Sequence, residues 1–284
     1  MTPSACADEG EAPRRLLAVS LAMVAAIAVA CAPAIRVALP DVTRGTTDPL
    51  GHRTIASLAA ACAPVVTMTA NVGVSGRVGR QRVRGSLQVG LSRPGRVRID
   101  AVAPFGAPIF VLASDGRTTT LVLPREQAVV RDATVAELLD ALIQVPLTAD
   151  DLASVMLACP RASVDGDQSR LLPGGDVSAA DAGGVTSFAR LAPAPRLLGM
   201  LFPVSGQRAR QIAIAFAPGG SGRRQIDVEV GAPAAAQLRM TLSDVETGST
   251  LGDEAFVAVV PPGTRGLSLD ELRRISPFAA PQGQ

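Results

Sequence analysis

The chain has 284 residues, 48% of them apolar but only 2% aromatic, with seven Phe and neither Trp nor Tyr. Its core must therefore be aliphatic. The net charge is +2, every basic residue is Arg, and no basic stripe is interleaved with aromatic residues, so nothing argues for a nucleic-acid surface. One histidine, His52, leaves His-dependent acid–base or nucleophilic chemistry without a partner, and neither a zinc-type Cys/His spacing nor a Gly-rich phosphate loop is present.

Arg14 and Arg15 precede an apolar run, Leu16 to Ala30. That run is shorter than the roughly 20 residues of a membrane span and has the length and flanks of a secretory signal. It ends in Ala28-Val29-Ala30-Cys31, small residues before a cysteine, which resembles the lipobox of bacterial lipoproteins, although Ala28 stands where Leu is usual. The resemblance implies acylation of Cys31. Ordinary cleavage near Ala30 or Ala32, or an uncleaved anchor, is the alternative. The expected organisation is a signal peptide over 1–30, a lipid-anchored flexible tether over 31–52, and one folded domain over 53–284. Cys6 would leave with the signal. Cys62 and Cys159 then remain as an even pair in an oxidising compartment, which favours a disulfide over two small buried hydrophobes.

Residues 32–52 hold Pro, Gly, Asp and Thr without periodicity, as a linker does. Residues 53–62, rich in Ala and Leu, predict a short helix. Strict alternation then predicts three successive strands: Val66 to Ser75, Arg82 to Leu91, and Arg96 to Ala101. Joined by short turns, they form an antiparallel meander with an Arg-rich face toward water. Pro104-Phe105-Gly106-Ala107-Pro108 breaks the pattern as a loop. Ile109 to Ser114 and Thr118 to Leu123 continue the sheet across an Asp115-Gly116 turn. Thr134 with Glu137 is a capping-box pattern before the apolar stripe Val135, Leu138, Leu139, Leu142 and Ile143. Val145-Pro146 ends that helix. Thr148 with Asp151 opens a second, with the stripe Leu152, Val155, Met156 and Cys159. A polar connection follows, then strands at Val185–Leu191, Gln211–Ala217, Arg224–Val230 and Gln237–Ser243. Phe256–Val260, a turn and a short helix capped by Ser268 and Glu271 finish the chain.

The order strands, helices, strands predicts an α+β fold: one curved antiparallel sheet with helices on its concave side. The acidic pairs Asp150/Asp151 and Asp270/Glu271 fall in first helical turns, where carboxylates favour the helix dipole, so no catalytic residue and no metal ligand is assigned.

Two segments resemble the outer-membrane lipoprotein receptor family LolB. One is Arg96-Val97-Arg98-Ile99-Asp100-Ala101-Val102-Ala103-Pro104-Phe105-Gly106, similar to that family's strand and protruding Pro-Leu-Gly loop. The other is Glu137-Leu138-Leu139-Asp140-Ala141-Leu142-Ile143-Gln144-Val145-Pro146-Leu147, similar to its helix–turn–helix, with Gln144 in place of the usual Gly. They occur in the family's order. The chain departs in its length after residue 160 and in the Cys62/Cys159 pair. The resemblance implies an incomplete β-barrel with a helical lid over an apolar cavity. It also implies an anchor in the outer membrane facing the periplasm, acylated lipoproteins received from a LolA-like periplasmic carrier, and their insertion into the inner leaflet of the outer membrane. It places the membrane-inserting residue at Phe105, held by Pro104 and Gly106. The expected acyl-cavity lining is Met68, Val72, Val83, Leu87, Val89, Val97, Ile99, Phe110, Leu112 and Leu121 from the sheet, with Leu139, Leu142 and Met156 from the helices. Neither an enzyme nor a cofactor is expected, and a monomer is. A carrier of another lipid or glycolipid, or a structural envelope lipoprotein without cargo, are the competing readings.

Overall fold

A computed structural model describes residues 35–102, 108–161, 168–204, 210–218, 223–231 and 236–275. Cys31 and the loop residues Pro104, Phe105 and Gly106 lie outside the described residues.

The elements in chain order are β1 (Thr46–Thr47), α1 (Gly51–Cys62), β2 (Thr67–Val78), β3 (Gln81–Ser92), β4 (Arg96–Val102), β5 (Phe110–Asp115), β6 (Thr119–Leu123) and β7 (Ala128–Val130). Next come α2 (Val135–Ile143) and α3 (Ala149–Leu157). The second half holds β8 (Arg170–Leu171), β9 (Asp176–Ala180), β10 (Thr186–Arg190), β11 (Arg196–Pro203), β12 (Gln211–Pro218), β13 (Arg224–Val230) and β14 (Ala236–Thr247), and the last elements are β15 (Arg265–Gly266) and α4 (Leu269–Ile275). The fifteen strands of the described residues form one sheet, ordered β1-β8-β9-β10-β11-β12-β13-β14-β2-β3-β4-β5-β6-β7-β15. Every pairing is antiparallel except β15 with β7. Two meanders, β2 to β7 and β8 to β14, are fused where β14 pairs with β2. Since β1 and β15 remain as edges, the barrel is incomplete.

Alternation fixes which face is buried. On β2 the residues Met68, Ala70, Val72 and Val78 are buried while Asn71, Gly73 and Ser75 are exposed. On β13 the buried set is Ile226, Val228 and Val230. The register Val72↔Leu242 and Val72↔Leu87 carries the same face across β14, β2 and β3. Gly76, with φ +149°, lies where β14 crosses closest. A Cβ there would run into the Gln237 carbonyl, so the position requires glycine.

Both capping boxes form: Thr134 Oγ1 accepts from Glu137 N and Thr148 Oγ1 from Asp151 N, while each carboxylate accepts from its cap's backbone N–H. A third box, Ser268 with Glu271, starts α4.

Three readings need correction. The flexible tether expected over 31–52 is not free in its described part. Asp41 caps a 3-10 turn at Val42–Arg44, β1 pairs with β8, Val37 N donates to Glu229 on the outer face of β13, and α1 begins at Gly51 rather than 53. Contacts made to distant strands leave no local periodicity to read. Secondly, β9 sits inside the stretch read as a polar connection, and its first four residues are all buried. In so short a run only Val177 and Ala179 mark an apolar face, and the buried Asp176 and Ser178 read as connection residues. The short β7, buried throughout, and β11, a near-continuous apolar run, show no alternation to read. Thirdly, Phe256 closes a 3-10 turn, Asp253–Phe256, and Val257 and Val259 are exposed outside the sheet.

Candidate functional site: an apolar cavity under the helices

The concave side is filled differently at its two ends. At the β9–β10 end α1 packs directly on the sheet, Ile55 and Leu58 against Val177, Ala179 and Ala189. Toward β2, β3 and β4 the inward rows include the short side chains Val72, Val74, Val83, Val89 and Val97, with Gly85 among them, beside the longer Leu87, Leu91 and Ile99 and, on β14, Leu238 and Met240. The sheet and the helices α2, α3 and α4 do not fill the space between them. A cavity of about 430 Å³ is left, closed on the helical side by Leu139, Leu142, Ile143, Leu152, Val155, Met156 and Leu272. The volume is that of small-molecule pockets, which span roughly 300–1,000 Å³. Phe110 is the one aromatic ring among its described lining residues.

Polarity sorts by depth. Residues buried in the lining are all apolar, among them Val72, Val89, Leu91, Val97, Ile99, Leu123 and Leu142. The charged ones, Arg84, Arg125 and Glu126, are exposed and stand at the rim. The register puts the rim at one end of the sheet. There Ser86 opposes Val102, Ala101 opposes Phe110, and Leu123 opposes Ala128. Exposed Ile109 and Ile275 also border this mouth. β4 ends and β5 begins at the same end.

Of the thirteen residues expected to line the cavity, ten do: Val72, Val83, Leu87, Val89, Val97, Ile99, Phe110, Leu139, Leu142 and Met156. Met68, Leu112 and Leu121 face the same side but do not border the cavity: Met68 lies at the far end of β2, and Leu112 and Leu121 are buried in the middle of β5 and β6. Alternation gives the face and not the depth, so these three are core. Sequence reasoning missed Gly85. It holds the inward position between Val83 and Leu87, and a Cβ built there meets nothing within 4 Å. The signal was available, as a glycine interrupting an inward apolar row.

Arginines from the second meander hold the lid helices by their C-termini. Arg224 donates to the Met156 carbonyl at 2.8 Å, at the end of α3. Arg210 donates to the Gln144 carbonyl at 2.6 Å and lies 3.5 Å from Asp140, at the end of α2. A guanidinium at a helix C-terminus satisfies orphan carbonyls and complements the negative end of the dipole. Burial lowers the Arg224 pKa below that of a free arginine. Gln144 and Ala158 end the two helices in the left-handed conformation, φ 59° and 52°, which glycine adopts more readily. Arg161 pairs with Asp151 of α3 and with Asp181 after β9, and Cys62–Cys159 is a disulfide. Together these tie α3 both to α1 and to the second meander.

The acidic pairs have structural partners: Asp151 and Glu271 in capping boxes, Asp253 with Arg96, and Asp270 with Arg273. Hydrogen bonds from the Thr134 backbone and hydroxyl hold Glu137 below the usual glutamate range, and those from Ser268 do the same for Glu271. His52 lies in the first turn of α1 and does not line the cavity. Among the described residues no group of three or more His, Cys, Asp or Glu could hold a metal ion, and no helix is long and apolar enough to cross a membrane.

No protein-family model matches the chain, and no curated protein sequence does. Solved structures similar to it include a DUF1329 family protein from Desulfovibrio piger (13% identity, TM-score 0.45, 74% of this chain and 98% of that one). A LolA superfamily protein from Nitrosomonas europaea is similar at 15% identity and TM-score 0.45, over 72% of this chain and 97% of that one. A putative outer membrane lipoprotein-sorting protein domain from Vibrio parahaemolyticus is similar at 10% identity and TM-score 0.37, over 76% and 97%. At these identities and TM-scores the likenesses assign neither family nor function; the α+β incomplete barrel with a helix-covered concave face stands on the chain's own strand order and core.

Proposed function

We propose that this chain is a non-enzymatic carrier that takes acyl chains of lipids or lipoproteins into the cavity beneath α2 and α3. The observation that carries this reading is the cavity itself: about 430 Å³, apolar throughout its depth, charged only at its mouth. Ligand methylenes in the same space recover about 0.8 kcal/mol each. Transfer needs no covalent step, since cargo moves toward whichever site buries its chains better.

The finer reading follows the LolB resemblance. Cys31 carries the lipid anchor, the protein faces the periplasm from the outer membrane, a LolA-like carrier delivers lipoproteins, and Phe105 enters the lipid interface during insertion. Extraction of the purified protein and mass spectrometry of co-purified lipid tests the carrier reading and names the cargo. Recovery of diacyl or triacyl species at near one-to-one stoichiometry is expected, and a glycolipid would favour the second carrier reading. Phe105→Glu is expected to keep cargo bound while abolishing its insertion into vesicles. Normal insertion by that variant refutes the loop's role.

A further inference from the structure

Between Pro49 and Ile99 the sequence contains no Asp or Glu, yet it holds eight Arg, four of them (Arg77, Arg80, Arg82, Arg84) within the eight residues around the β2–β3 turn. All four are exposed, and none takes part in an ion pair among the described residues. Arg77 and Arg82 are direct cross-strand partners on the outer face, and Arg84 is the next outward residue on β3. Like charges set directly opposite on a sheet are destabilising unless an anion screens them. Three other outward arginines of the sheet do have carboxylates, Arg98 with Asp100, Arg239 with Asp227 and Arg190 with Asp176, and Arg196, opposite Arg190, stands alone rather than in a group of four.

Position gives this unneutralised group a direction. Pairing of β3 with β4 stops at Ser86↔Val102, so the hairpin extends past the end of β4. It does so at the end of the sheet where the cavity opens, and Arg84 itself borders the mouth. Exposed Ile109 and Ile275 stand at the same rim.

We propose that the β2–β3 hairpin is an electrostatic docking finger for an anionic phospholipid surface, which sets the cavity mouth against the lipid headgroups. A guanidinium binds phosphate in a bidentate fork, and four on one short hairpin match a surface of repeated phosphates. The mouth's apolar rim residues then meet the interface without crossing water. The docking face stands on the charge distribution, whereas its purpose rests on the carrier reading above, and the two fail separately.

The test is flotation of the full chain with vesicles of neutral phosphatidylcholine and with vesicles containing phosphatidylglycerol. The readout is the ratio of the two affinities, because the apolar run Leu16–Ala30 is common to every protein compared. Each basic residue at an anionic surface contributes about fivefold. The combined variant Arg77→Gln, Arg82→Gln, Arg84→Gln is therefore expected to lose the anionic preference by on the order of 100-fold. A control with Arg53→Gln, Arg117→Gln and Arg131→Gln has the same net charge and is expected to keep it. Should the triple variant fold poorly, Arg80→Gln in the turn is expected to lower the preference about fivefold alone. Wild-type preference should fall as salt is raised from 50 to 500 mM, as the Debye length shrinks below about 10 Å. An unchanged preference in the hairpin variants, an equal loss in the control, or retention of a DNA duplex in place of vesicles overturns the proposal. Loss of docking with unchanged acyl-probe binding supports the finger and leaves the cavity intact; loss of acyl binding alone strikes only the carrier reading.

Discussion

Gly85→Phe puts the cavity to a quantitative test. Position 85 is inward-facing on an extended strand, with no backbone strain and nothing within 4 Å of an added Cβ. A phenylalanine there suits strand geometry and meets open space, so the fold and Tm should be maintained or slightly improved. Its benzyl group has seven carbons. If it displaces even half that many ligand methylenes, three or four, binding weakens by about 3 kcal/mol, or on the order of a hundredfold. The assay is displacement of a fluorescent fatty-acid probe by saturated fatty acids of increasing length. For the unaltered chain each added methylene should tighten binding about fourfold until the space is full. Gly85→Phe should reach its plateau several carbons earlier. Affinity independent of chain length, or a Gly85→Phe variant with unchanged Tm and unchanged binding at every length, would refute the claim that the cavity buries acyl chains.

Removing the Cys62–Cys159 bridge, by reductant or by Cys62→Ala with Cys159→Ala, frees a separation of 97 residues. Chain entropy sets the loss at up to about 4–5 kcal/mol, so Tm should fall by up to roughly 10–20 °C; an unchanged melting curve would show that the bridge does not constrain the unfolded chain. Arg224→Met deletes a charged donor to the α3 terminus and should cost about 1–2 kcal/mol. Amide exchange should quicken in α3 before β2 and β3, and uniform exchange would argue against a separately held lid. Glu137 and Glu271 have folded pKa values below the ordinary glutamate range, so their contribution is present above that range and lost as pH falls through the folded values. Stability should therefore drop below about pH 4.5, and Glu137→Gln should flatten that part of the Tm–pH profile; a parallel profile would assign the acid sensitivity elsewhere.

Much of the fold was legible because one-sided burial leaves period 2 in the chain. The runs that became β2, β3, β4 and β13 alternate cleanly, and the Thr134/Glu137 and Thr148/Asp151 boxes announced α2 and α3. β7 and β11 were opaque because they carry no alternation, and β9 because its buried Asp176 and Ser178 read as connection residues. The site was read at the level of face: of the ten expected residues that line the cavity, seven are where strand alternation put them and Leu139, Leu142 and Met156 are where the helical stripes put them, while Met68, Leu112 and Leu121 face the same side without bordering it. Gly85 could have been found as the one gap in the inward row of β3. The pairing of unneutralised Arg77 with Arg82 could not, since it depends on the hairpin's register.

By itself the sequence determined the aliphatic character of the core, the alternating faces and the helix starts, because each rests on neighbours within a few residues. Tertiary structure decided where helices touch the sheet and where they stand away from it, how the two meanders join through β14 and β2, and that residues 35–50 lie against the domain. Those outcomes depend on contacts between segments from tens to nearly two hundred residues apart, and on the curvature they impose together, which no local pattern encodes.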